Sequence, residues 1–181
     1  DSGSIYINSS DGGFQGNSGV IQMSTGDAPG GSAGSITLSV GDSFSGTGSS
    51  VNISSGDSYS SRGGDLILSS GVSNVVKSGD VMMKSSSSAS LSGRVSISTG
   101  DGAANGTGPI DVSTGSSAGG LSGSLSLAVG SGSSGGSISV DAGDSTGIEG
   151  TGGEVRISGG SALYGPGGSI SARGGDSSGM S

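Results

Sequence analysis

Apolar and polar residues alternate in short bursts that return at a fixed distance. The stretch Gly34-Ser-Ile-Thr-Leu-Ser-Val-Gly-Asp42 gives the pattern as Gly-x-Φ-x-Φ-x-x-Gly-Asp, with Φ apolar. Ile36 and Leu38 share one side, and Ser35, Thr37 and Ser39 the other. That period of two predicts a half-buried β-strand. The first Φ recurs at Ile5, Ile21, Ile36, Val51, Leu66, Val81, Val95, Ile110, Leu125, Ile138, Val155 and Ile170, mostly 15 residues apart. Gly sits five positions after most of them, and Asp often follows, so the sequence places a turn there.

A 15-residue unit is too short for a strand-helix-strand crossover, and its Gly/Ser return is too long for a two-residue hairpin. The expected fold is therefore all-β: a parallel β-solenoid (β-helix) of about twelve coils, with strands stacked ~4.8 Å apart. One apolar residue in each return, such as Phe14, Phe44, Tyr59, Val75, Ile148 or Leu163, predicts a shorter second strand and a thin core between two sheets. Residues 1–181 read as a single uncapped repeat array, joining in phase to a further copy or to more repeats.

Composition sharpens this expectation. Of 181 residues 43 are Gly, and only 28% are hydrophobic, too few for a thick globular interior. Such a composition ordinarily describes a flexible linker, but a linker has no reason to hold register over twelve copies. The net charge of −8 argues against nucleic acid as a partner. No apolar run approaches the ~20 residues of a membrane span.

Candidate chemistry is sparse. With no His and no Cys, the usual general base, nucleophile and soft metal ligands are missing. Carboxylate pairs such as Asp141 with Asp144, or Glu149 with Glu154, lie on turns without loop insertions to build a cleft, so the chain reads as no enzyme and needs no cofactor. Asp11, Asp27, Asp42 and Asp57 come from consecutive repeats. Stacked, they would form a file of like charges that recruits a cation, and calcium takes such oxygen ligands; the simpler reading is that each Asp caps its own turn. Ile67 and Met82 occupy the outward position held by Thr37 elsewhere, and Val72, Val75 and Val76 lie nearby in sequence. These five form a candidate lateral contact patch. Asn8, Asn52 and Asn105 begin N-glycosylation sequons, which would suit a secreted glycoprotein.

The Gly-Ser-Ile-x-Leu-x-x-Gly-Asp-Ser unit, repeated along the whole chain, resembles the Gly/Ser-rich β-solenoid repeats of microbial and microalgal surface proteins and adhesin stalks. The resemblance implies a structural protein of the cell surface or extracellular space. It would self-assemble head to tail, and also laterally, into a filament. The alternative is a binding module that meets polysaccharide, mineral or ice through a flat Ser/Thr/Asn face.

Overall fold

The computed structural model describes residues 2–103 and 106–177. The chain falls into two units, Asp1–Gly93 and Arg94–Ser181. Both have the same construction: bend-free segments carrying the Φ-x-Φ pairs, joined by one bend per repeat. In the first unit the bends lie at 14–15, 29–31, 44–46, 59–61, 74–76 and 89–90. In the second they lie at 118–120, 133–134, 147–149 and 163–165, with a further bend at Ala103. The 15-residue period of the sequence is thus a real period of the backbone.

The expected β-solenoid does not form. Among the described residues there is no β-strand and no helix. Stacked coils would link residues about 15 apart. The backbone hydrogen bonds outside regular elements instead span three, eight or ten positions, as in Gly16 to Gly13, Gly64 to Gly56 and Gly153 to Gly143. The two-sheet core is absent as well, since no described hydrophobic residue is buried. The surface area of 18,183 Å² lies far above the ~7,600 Å² of a folded chain of this mass and nearer the ~24,000 Å² of an unfolded one.

The physical reason lies in the composition. Gly and Ser supply half of the chain, and Gly loses the most conformational freedom on ordering. Two aliphatic side chains per repeat offer too little apolar area to offset that loss within one chain. The repeat therefore fixes where the backbone bends without drawing successive segments into a ladder.

Two local expectations also shift. The turn assigned to Gly41-Asp42 lies further along, at residues 44–46. Positive φ occurs only at Gly106 and Gly165 among the described residues, so Gly41 does not use its left-handed freedom. The return residues Phe14, Phe44, Tyr59, Val75, Ile148 and Leu163 lie on the bends themselves, not on a second strand.

Candidate functional site

One local arrangement recurs in both units. Between repeats the chain closes a neck. The Gly64 N–H donates to the Gly56 carbonyl at 3.0 Å, and the Gly79 N–H to the Gly71 carbonyl at 3.0 Å. In the second unit Gly153 donates to Gly143 and Gly168 to Gly160, each at 2.8 Å. The donor always lies two residues before the next repeat's first Φ, and the acceptor five residues after the previous one. At the corresponding place Thr25 Oγ1 donates to the Gly34 carbonyl at 3.1 Å.

The donor position needs glycine because two chain segments approach closely there. A Cβ on Gly64 would stand 3.3 Å from Ser55 Cβ and 3.4 Å from Gly56 N. One on Gly79 would stand 3.2 Å from Ser70 Cβ, and one on Gly153 would meet Ala142 Cβ and Gly143 N, both at 3.2 Å. The acceptor position is different. Added Cβ atoms on Gly56, Gly71 or Gly143 would meet nothing within 4 Å. The two conspicuous Gly columns therefore have different causes: close packing in one, and a carbonyl that any residue could offer in the other.

A serine column holds the bends. The Ser43 hydroxyl accepts from the Gly46 N–H at 3.0 Å, Ser58 from Ser61 at 3.0 Å, Ser73 from Val76 at 3.1 Å and Ser117 from Gly120 at 3.0 Å. A hydroxyl that satisfies a backbone N–H two or three residues on closes a compact turn. Sequence reasoning passed over these serines. Their signal was present as a Ser seven residues after the first Φ, hidden by the abundance of Ser elsewhere.

The bends hold their apolar residues in water: Phe44 is 100% exposed and Tyr59 104%. On the bend-free segments the first Φ is regularly less exposed than the second, as with Ile36 at 56% and Leu38 at 74%. Both members of each Φ pair nonetheless stay exposed, as do Ile67 and Met82 at 79% and 82%. Val72, Val75 and Val76 are exposed too, the last two on the bend at 74–76.

Charged groups are arranged simply. Two ion pairs flank successive necks: Arg62 with Asp65 at 2.6 Å and Lys77 with Asp80 at 2.8 Å. Asp11, Asp27, Asp42 and Asp57 are all exposed, and no group of three or more acidic side chains is placed to hold a metal ion among the described residues. Asn8 and Asn52 are exposed, whereas Asn105 lies outside the described residues. No cavity occurs among the described residues, and no helix there is long and apolar enough to cross a membrane.

Fold and site together define a tandem-repeat protein with regular necks, capped bends and no interior among its described residues. No family model, curated protein or solved structure matches the chain.

Proposed function

We propose that this is a structural protein, working through association of copies of itself into a filament or surface fibre outside the cell. The observation that carries this reading is the regular exposure of its apolar side chains. Two or more large aliphatic or aromatic residues recur in every full repeat, and among the described residues none is buried. Water penalises such surface in proportion to its area. The described residues of a single copy form no interior to receive it, and a second copy offers the same side chains at the same spacing. Many weak, equally spaced contacts sum to a stable assembly even where each alone is feeble. Sequons at Asn8 and Asn52 and the resemblance to surface-protein repeats support an extracellular setting.

The reading assigns the chain no reaction. Its chemistry is that of a surface: hydroxyls, backbone amides and apolar tips repeated along its length.

Sedimentation velocity over a hundredfold concentration range tests the proposal. The weight-average mass should climb steadily with concentration, and electron microscopy of the concentrated sample should show elongated particles. A chain that stays monomeric throughout would refute it.

A further inference from the structure

The charges are unevenly placed within the first unit. Before residue 58 the described chain carries Asp11, Asp27, Asp42 and Asp57 and no basic residue. Arg62, Lys77 and Lys84 then follow, against Asp65 and Asp80 only. Arg62 and Lys77 pair with those two acids within their own copy through exposed contacts, whereas no ion pair to Lys84 occurs among the described residues, so the stretch carries a net charge of +1. This basic stretch also carries two exposed aliphatic residues, Ile67 and Met82, at a position that is polar in most other repeats.

We propose that the segment 62–84 is a docking surface whose occupant is the acidic segment 27–57 of a second copy of this chain. The inference rests on the self-association argued above and adds its register. Uniform apolar spacing alone would allow many alignments. Charge selects among them, because electrostatic complementarity decides register and partner more than affinity. Copies aligned residue for residue would set each Asp of the acidic segment beside its own counterpart. A displacement of two repeats, 30 residues, keeps the Φ rows in phase. It brings Arg62, Lys77 and Lys84 within about five residues of Asp27, Asp42 and Asp57 along the chain. The displacement leaves the segment 62–84 of one copy and the segment 27–57 of the other free, so further copies can add.

The chain has no cysteine, so an introduced one reports without background. Ser39 and Ser69 occupy equivalent exposed positions, three residues after Ile36 and Leu66. Full-length Ser39→Cys and Ser69→Cys proteins are mixed at an assembling concentration and low ionic strength, then oxidised gently. The ratio of mixed disulfide to the two like pairs together should rise from its statistical value of about one to about five, a bias within reach of a few surface ion pairs. Combining Lys77→Glu with Lys84→Glu in the Ser69→Cys chain, or raising the salt to 1 M, should return the ratio to the statistical value while assembly persists. A predominance of like pairs, or a statistical ratio in the unaltered chain, overturns the proposed register and leaves self-association standing. An unaltered chain that does not assemble at all overturns both.

Discussion

The Gly64 N–H reaches back across seven intervening residues to the Gly56 carbonyl at 3.0 Å. This bond, rather than a ladder of strand pairs, is the joint between two repeats. It closes the loop that carries Tyr59 at its bend and returns the chain to the next Φ pair, Leu66 and Leu68. The same joint recurs at Gly79 with Gly71, Gly153 with Gly143 and Gly168 with Gly160. Its sensitivity to substitution follows from the space around each partner.

Gly64→Ala should open the neck, and Gly56→Ala should not. The first inserts a methyl 3.3 Å from Ser55 Cβ, while the second projects one into open space. Losing the neck bond costs about 1 kcal/mol, roughly a fivefold change in the local opening equilibrium. Amide hydrogen exchange at residue 64 should accelerate by about that factor in the first variant and hold steady in the second. Equal behaviour of the two variants would contradict the packing described at the neck.

Removal of a bend-capping hydroxyl should loosen one bend alone. Ser58→Ala deprives the Ser61 N–H of its acceptor, and Ser58→Thr restores one. The Ser61 amide resonance should move toward its random-coil position in the alanine variant and back in the threonine variant. The effect should be about 0.5–1 kcal/mol, as for other local side-chain caps. Resonances at the bend 44–46 should stay in place.

Arg62→Ala should matter little to the neck. Its ion pair with Asp65 is short but lies in water, with side chains 82% and 56% exposed. Exposed pairs contribute at most about 1 kcal/mol and are screened by salt. Exchange at Gly64 should therefore change by less than about fivefold, and 1 M salt should erase the difference between the variant and the parent chain.

Limited chymotrypsin digestion should cut at the bends. Phe14, Phe44, Tyr59 and Tyr164 are fully or almost fully exposed there, and exposed loop tips are where proteases enter. Dilute chain should release fragments ending at these residues within the first minutes. At assembling concentration the same sites should be protected, and unchanged cleavage would show that the bends take no part in the contacts.

The repeat unit was readable from residues alone, and so was its length. Ile36 and Leu38 at a spacing of two, with Gly41 and Asp42 behind them, announce a segment followed by a change of direction. The exposure of Phe44 and Tyr59 was not readable. An apolar residue amid Gly and Ser looks like core, and only its location on a bend shows that nothing covers it. The serine caps at Ser43 and Ser58 were lost among other serines, because a hydroxyl column has no contrast in a chain so rich in them.

By itself the sequence determined the period, the alternation and the positions of glycine, since these are local and each residue carries its own backbone preference. The tertiary structure decided whether successive segments pair with one another, and among the described residues they do not. Pairing depends on the balance between buried area and lost chain freedom, summed over many residues. With half of the chain Gly or Ser, that balance leaves the described segments without strand pairing and the apolar rows in water.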